Sequence, residues 1–296
     1  MSFQYPASIY IRLSGLILIQ SLLYSCKENN PVQPSGSSAY INKVYEYVYA
    51  PGQHALIAKP TDIAYFTGAP ESEKWLYLGG FGGYVVGGFD HDVLNGDSYD
   101  FEVYGLQGAS PEPGIVYVMP DTNGDGLPND TWYELKGNQY ANSRHNFWVR
   151  YYKAVTDSAN ITWKDSEGNL GVLISGFAGN FSAKWWWPST TTDSITFEGS
   201  RLPDSYKNSS TSDTQYWVVP HDLFTWGYAK NMYGTDFDAT EGANKFDISN
   251  AVDQAGNTVN LPSIRFIKVQ TAVFQQAGWL NEVSTEVRGA KDLRKE

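Results

Sequence analysis

The clearest chemistry in the sequence lies in a short segment rich in oxygen side chains. Residues 121–132 read Asp-Thr-Asn-Gly-Asp-Gly-Leu-Pro-Asn-Asp-Thr-Trp. Oxygen side chains occupy positions 1, 3, 5 and 9 of this segment, and a glycine occupies position 6, where EF-hand loops turn sharply. These five residues are Asp121, Asn123, Asp125, Asn129 and Gly126. Because calcium prefers several hard oxygen ligands around one point, the spacing predicts a calcium site.

The remainder of the predicted ligand set departs from an EF-hand. Leu127, at position 7, offers its main-chain carbonyl, whereas position 12 is Trp132 and not the bidentate glutamate of an EF-hand. Asp130 and Glu134 are the candidates to complete the set. We therefore predict an EF-like calcium loop with a structural role, in which the ion neutralises clustered carboxylates. The alternative is a solvated Asn/Asp/Gly turn that binds no ion.

A run of three tryptophans is the first candidate for binding an organic ligand. Trp185, Trp186 and Trp187 are consecutive, so in a strand at least one ring must point away from the other two. Exposed rings stack on flat or apolar ligand faces, such as sugar rings or a corrin macrocycle. The alternative is that the three rings fill the core of a wide sandwich.

A second group of aromatic residues lies in a loop-like stretch, 220–245, that is rich in Gly, Asp and Asn. Its candidates for ligand binding are Trp226, Tyr228 and Tyr233. We expect the other tryptophans, such as Trp75, Trp132 and Trp217, to belong to the core.

The sequence contains no recognisable catalytic motif. Its four histidines are not spaced as metal ligands, and no Gly-x-Ser-x-Gly elbow is present. Five glutamates could supply the carboxylate pair of a glycoside hydrolase. They are Glu112, Glu134, Glu198, Glu282 and Glu286. Because the sequence does not bring any two of them together, we predict a protein that is not an enzyme, with glycoside hydrolysis as an alternative.

Composition narrows the class of protein. The chain has 296 residues, of which 42% are hydrophobic and 18% charged, enough to bury a sizeable core. The 21 Lys and Arg against 32 Asp and Glu give a net charge of −11, which opposes binding to nucleic acid phosphates. The single cysteine excludes a disulfide framework.

The N-terminal residues predict export from the cytoplasm and a lipid anchor. Arg12 precedes a short apolar run, which is typical of a signal peptide over residues 1–25. The segment 22–26 resembles a bacterial lipobox, and this resemblance implies that Cys26 is lipidated. Residues 26–39 then form a flexible tether rich in Pro, Ser and Gly. The alternative is an ordinary secretory signal with an incidental cysteine.

The rest of the chain, 40–296, has the pattern of a β protein. Short β-branched and aromatic runs, many of them alternating with polar residues, are bounded by Gly, Pro, Asn and Asp. We predict a single all-β domain, an antiparallel, jelly-roll-like β-sandwich with long loops. The glycine-rich run 79–88 has no helix pattern after it, so it indicates close backbone packing and not a phosphate-binding loop.

Several stretches together resemble a family of cell-surface lipoproteins of the Bacteroidota. They are 79–91, 99–105, 111–116, 121–134 and 278–286. Some members resemble components found beside vitamin B12 receptors. The resemblance implies a lipoprotein of the outer membrane, facing the cell exterior, that captures cobalamin or a related corrinoid for a TonB-dependent transporter. A carbohydrate-binding lipoprotein of a glycan uptake system is the alternative, and the membrane contact is the lipid anchor alone.

Overall fold

Alternating apolar and polar residues produce the strands of the described chain. The computed structural model describes residues 37–52, 63–106, 111–175, 185, 187–188, 192–208, 217–277 and 283–295. These residues form seventeen strands and three short 3-10 turns, at Ile63–Phe66, Tyr140–Asn142 and Ile248–Asn250. The strands are β1 (Lys43–Val48), β2 (Leu76–Tyr77), β3 (Tyr84–Leu94), β4 (Phe101–Gly105), β5 (Gly114–Met119), β6 (Tyr133–Leu135), β7 (Arg144–Tyr152), β8 (Ile161–Asp165), β9 (Leu170–Leu173), β10 (Ser194–Arg201), β11 (Lys207–Asn208), β12 (Trp217–Val218), β13 (Phe237–Asp238), β14 (Ala243–Phe246), β15 (Ala251–Val252), β16 (Ser263–Thr271) and β17 (Glu286–Asp292).

Two antiparallel sheets make the sandwich. The six-stranded sheet has the order β1-β3-β16-β5-β6-β15, and the five-stranded sheet has the order β13-β14-β4-β17-β2. The chain passes from one sheet to the other along β3, β4 and β5, and again along β14, β16 and β17. This alternation between sheets resembles the strand connectivity of a jelly roll. The predicted all-β sandwich is confirmed.

The main core lies between these two sheets. Val85 and Val116 come from the six-stranded sheet, Val103 and Val287 come from the five-stranded sheet, and all four are fully buried. Residues of the opposite parity in the strands, such as Tyr117, face away from this core. The outer face of the six-stranded sheet is therefore available to carry polar groups.

A third sheet packs against the sandwich. It has four strands in the order β10-β7-β8-β9. Its own apolar cluster joins Phe147, Tyr151 and Phe197 to Phe81, and Trp185 belongs to the same cluster. The strands β11 and β12 pair separately. This sheet fixes β10 close to the outer face of the six-stranded sheet.

The glycine-rich run before β3 is confirmed as a site of close backbone packing. A Cβ atom on Gly83 would lie 1.7 Å from the Leu78 carbonyl oxygen, and one on Gly79 would lie 2.2 Å from that of Ala50. The main chain at residues 79–83 thus passes directly over neighbouring main chain.

The predicted N-terminal features lie outside the described residues. These are the signal peptide 1–25, Cys26 and all but the last residues of the tether. Residues 36–296 cluster as one unit. Among the described residues, no helix has the length and apolar character needed to cross a membrane.

Candidate functional site

A row of chemically distinct side chains crosses the outer face of the six-stranded sheet. Glu46 on β1 pairs with Val86 on β3, which pairs with Lys268 on β16. Lys268 pairs with Tyr117 on β5, which pairs with Glu134 on β6. Residues directly opposite each other on adjacent strands carry neighbouring side chains on one face. The sheet register therefore places a lysine and a tyrosine between two carboxylates.

Strand β10 crosses this face and turns it into a groove. The Ser200 main-chain N–H donates to the Tyr117 hydroxyl at 3.1 Å, and the Gln270 side-chain amide donates to the Glu198 carbonyl at 3.1 Å. Two clefts of about 320 and 470 Å³ result, and both are lined by Trp132, Glu198 and Lys268. We call this pair of clefts the groove.

Glu134, Ser200 and His145 form a hydrogen-bonded chain in the groove. The Ser200 hydroxyl donates to Glu134 Oε2 at 2.5 Å and lies 2.9 Å from His145 Nδ1. His145 Nε2 donates to the Tyr140 carbonyl at 3.0 Å, because a carbonyl can only accept. The Glu134 carboxylate, 3.8 Å from His145 Nδ1, is the main reason that the pKa of His145 is raised, so the chain favours an imidazolium beside a carboxylate.

Lys268 lies at the centre of the groove without a polar partner. Its ammonium is 4.1 Å from the centre of the Tyr117 ring, and it forms no hydrogen bond or ion pair with any residue that the structure describes. Burial lowers the pKa of Lys268 to about 8, although the nearby carboxylates of Glu134, Glu46 and Glu198 act in the opposite direction. A ligand could therefore supply the acceptor that the protein does not.

Aromatic rings form the walls of the groove. Tyr84 and Trp132 each lie within 6 Å of the Lys268 ammonium, measured to the ring centre, and Tyr140 lines the smaller cleft. The Tyr84 hydroxyl donates to Glu46 at 2.6 Å. Trp132, expected in the core, is half-buried and lines both clefts. The groove thus combines stacking surfaces with charged hydrogen-bonding groups.

The EF-like segment forms a compact loop held by its own side chains. Asp121 Oδ2 accepts the Gly126 N–H at 3.1 Å, and Asn123 Oδ1 accepts the Asp125 N–H at 2.9 Å. Asp125 accepts the Leu127 N–H at 2.8 Å and the Asn129 side-chain amide at 2.8 Å. These bonds, from Asn129 first, lower the pKa of Asp125, so it is ionised at neutral pH.

One carboxylate oxygen of the loop takes no part in these hydrogen bonds. Asp121 Oδ1 is buried and has no hydrogen-bond partner in the described residues, which is costly for a carboxylate unless another group binds it. Asp130, in contrast, uses its carboxylate to accept the Thr122 N–H at 2.9 Å. Glu134 is engaged with Ser200 in the groove.

The donor set that remains is mixed. No three His, Cys, Asp or Glu side chains of the described residues are grouped so that they could hold a metal ion. A calcium ion at this loop would therefore depend on Asn side chains and main-chain carbonyls beside Asp121 and Asp125, as hard-oxygen sites allow.

The predicted aromatic binding residues do not form one site. Trp185 is buried in the core of the third sheet, and its indole N–H donates to the Ala159 carbonyl. Trp187 is half-buried and donates to the Thr192 carbonyl. Trp186 lies outside the described residues. Both tryptophans belong to the apolar cluster of the third sheet, which reaches the larger cleft through Tyr84, Ile195 and Phe197, but neither ring is among the described residues that line the groove.

The second aromatic group is also divided. Tyr228 is buried, and its hydroxyl accepts the Gln139 N–H at 2.9 Å. Tyr233 stacks on His221 with ring centres 3.9 Å apart. Trp226 is partly exposed and lines a separate cleft of about 300 Å³ together with Tyr99. Of these three residues, Trp226 is the one placed in a cleft.

The structure brings the candidate glutamates together in two places. Glu134 and Glu198 line the same cleft of the groove. Glu112 and Glu286 are both buried and share an ion-pair partner, Lys230, at 3.1 Å each. Glu282 lies outside the described residues.

Sequence reasoning missed most of the groove. His145, Ser200, Lys268 and Tyr117 were not singled out, because each stands alone in an ordinary strand pattern. The usable signal was a polar residue inside an apolar strand: Lys268 interrupts Phe-Ile-Lys-Val, and an outward-facing lysine there marks the solvent side of β16.

Comparison with known proteins adds no assignment. No protein-family model matches the chain, and no curated protein matches it. The resemblance to surface lipoproteins therefore stays a prediction.

Proposed function

We propose that this protein is a surface lipoprotein that binds a hydroxyl-rich, carbohydrate-like ligand in the groove. The observation that carries the proposal is the row of Glu46, Lys268, Tyr117 and Glu134 beside Trp132. Sugar hydroxyls both donate and accept, so one ligand can satisfy carboxylates and an unpaired ammonium together. Aromatic walls supply stacking for the sugar ring.

A corrinoid is the second candidate, favoured by the resemblance to proteins found beside vitamin B12 receptors. Both ring nitrogens of His91 and of His145 are already hydrogen-bonded, to Asp90 and Asp292 and to Ser200 and Tyr140 respectively. A corrinoid would therefore bind through the aromatic walls and its amide groups, without cobalt coordination by either histidine.

The proposed setting follows from the N-terminal sequence. A lipid on Cys26 and a tether to residue 39 would hold the domain at the outer membrane, facing the cell exterior, beside a TonB-dependent transporter. The net charge of −11 argues against a nucleic acid as partner. The proposed protein captures its ligand and does not release it as a chemically altered product.

Isothermal calorimetry of the full-length protein in detergent tests the ligand. We expect heat with members of an oligosaccharide panel, and Trp132→Ala should weaken this binding about thirty-fold, or about 2 kcal/mol, because a stacking wall is lost. Trp226→Ala, in the separate cleft, is the matched control and should bind normally. Heat with cyanocobalamin and none with any sugar would instead select the corrinoid.

We also propose that the loop 121–130 binds calcium as a structural ion, supported by the unpartnered Asp121 Oδ1. A ligand that binds only the folded state raises its stability, by about 2.7 kcal/mol at a hundred times its Kd. The melting temperature should therefore rise with millimolar calcium and fall with a chelator. Asp121→Ala should abolish this response, whereas Asp253→Ala, in a similar Asn/Gly turn, should retain it. An identical melting curve with calcium and with chelator would count against the site.

A further inference from the structure

The Lys268 amine is a polar group of the groove that no described side chain pairs with. It lines both clefts, so a small molecule can reach it from either side. Within the described residues it has no hydrogen bond and no ion pair, and its nearest described partner is the Tyr117 ring. A lysine used only for stability would be paired or fully solvated, and Lys268 is neither.

Burial makes Lys268 easier to deprotonate than an ordinary lysine, and groups that can exchange protons lie in the same cleft. Three rings, those of Tyr84, Tyr117 and Trp132, surround the amine and limit its hydration. This burial lowers the pKa of Lys268 to about 8, against the opposing carboxylates of Glu46 on β1, Glu134 on β6 and Glu198 on β10. A desolvated amine of this kind is an activated nucleophile.

We propose that Lys268 is a carbonyl-reactive lysine, which forms an imine with an aldehyde or ketone group of a ligand in the groove. The inference rests on the proposed groove and names a chemical feature of its ligand: a free carbonyl, such as the open-chain end of a reducing sugar.

The step is balanced by groups already present. The nitrogen lone pair of neutral Lys268 attacks the carbonyl carbon, the C–N bond forms as the π pair of the C=O bond moves to oxygen, and one proton moves from nitrogen to oxygen to give a carbinolamine. Protonation of the hydroxyl lets the C–O bond break with loss of water, and the protonated imine returns the proton, so amine and carbonyl yield imine and water with no change of oxidation state. The Glu134–Ser200–His145 chain lies in the same cleft and can exchange the protons.

Reductive trapping tests the proposal on the full-length protein in detergent. The protein is treated with glycolaldehyde and cyanoborohydride at about pH 8, and labelled lysines are mapped by mass spectrometry. We expect Lys268 to be labelled at least about ten times faster than exposed Lys164, because burial activates the amine of Lys268 and Lys164 is solvated. Lys268→Arg and Lys268→Met should remove the fast labelling, and Lys164→Met should leave it intact.

A second measurement separates reactivity from a merely structural role. The labelling rate at Lys268 should rise through about pH 8, and Glu134→Gln should move this rise to lower pH, since a carboxylate that raises the pKa of the amine is gone. Labelling of Lys268 no faster than of Lys164 would overturn the inference, and sugar binding by calorimetry would then still stand. Fast labelling without heat from any sugar or corrinoid would uphold the reactive lysine and refute the proposed ligands.

Discussion

Replacing Lys230 with methionine will lower the free energy of unfolding by about 3–5 kcal/mol, the usual cost of leaving buried charge without its partner. The Lys230 ammonium lies 3.1 Å from Glu112 Oε2 and 3.1 Å from Glu286 Oε2, and all three side chains are almost fully buried. Burial by itself lowers the pKa of Lys230, but the carboxyls of Glu286 and Glu112 outweigh it and raise that pKa. The lysine therefore stays charged, and its loss leaves the buried Glu112 and Glu286 without a cationic partner.

The stability that Lys230→Met loses will be larger at high pH than at low pH. Burial, followed by the neighbouring Glu112, raises the pKa of Glu286 well above its ordinary value. A raised pKa in the folded state means that the folded protein holds this proton more tightly, so its contribution is full at acidic pH and declines as pH rises through the folded-state pKa. Without Lys230 to offset ionisation, the variant should be closer to wild type near pH 5 than near pH 8.

Thermal and urea unfolding measure both effects. Lys245→Met is the matched control, because Lys245 pairs with Asp238 at 2.9 Å in a partly exposed position and should cost less than about 1 kcal/mol. Adding Glu112→Gln and Glu286→Gln to Lys230→Met should restore part of the loss. Equal destabilisation by the Lys230 and Lys245 variants would contradict a buried charge cluster.

Gly83→Ala will destabilise the protein by at least about 3 kcal/mol, the upper range for overpacking. The added Cβ would lie 1.7 Å from the Leu78 carbonyl oxygen and 2.6 Å from the Ala50 nitrogen. Both are main-chain atoms, which cannot rotate away as a side chain can. The Gly83 carbonyl also accepts the Thr271 N–H at 2.9 Å, so a shift of this segment would break its pairing with β16.

Gly168→Ala provides the control for this prediction. Gly168 sits in the β8–β9 turn with φ of +84° and no atom within 4 Å of an added Cβ, so it should cost only the left-handed backbone strain of about 1 kcal/mol. Circular dichroism melts of the two variants give the comparison. A Gly83 variant as stable as the Gly168 variant would mean that the backbones at residues 78–83 are not in contact.

The fold was predictable because its signals are local. Alternation in segments such as 264–269 and the glycine-rich run 79–88 report which face is buried and where chains pass closely. The loop at residues 121–130 was equally recognisable, since its Asp, Asn and Gly residues form a single turn that is held by hydrogen bonds within it. The burial of Trp185 and Tyr228 could not be predicted in this way, because the surroundings of a ring depend on elements that are distant in the sequence.

The groove was not predictable for the same physical reason. Lys268 meets Tyr117 through strand register, and Glu134 meets Ser200 through the packing of β10 over the sheet. Neither contact produces a characteristic spacing of residues in the sequence. Glu134, a candidate for the calcium set because it is close in the sequence, accepts the Ser200 hydroxyl in the groove, a contact that the sequence does not indicate.

The position of β16 governs when the groove can exist. This strand lies between β3 and β5 in the six-stranded sheet, although it comes near the end of the chain. Until residues 263–271 are available, β3 and β5 remain two separated edges, each with unpaired amide and carbonyl groups open to aggregation. Closing so long a connection is entropically costly and slow. A chain without residues 263–271 is therefore expected to hold neither the joined sheet nor the groove that lies on it.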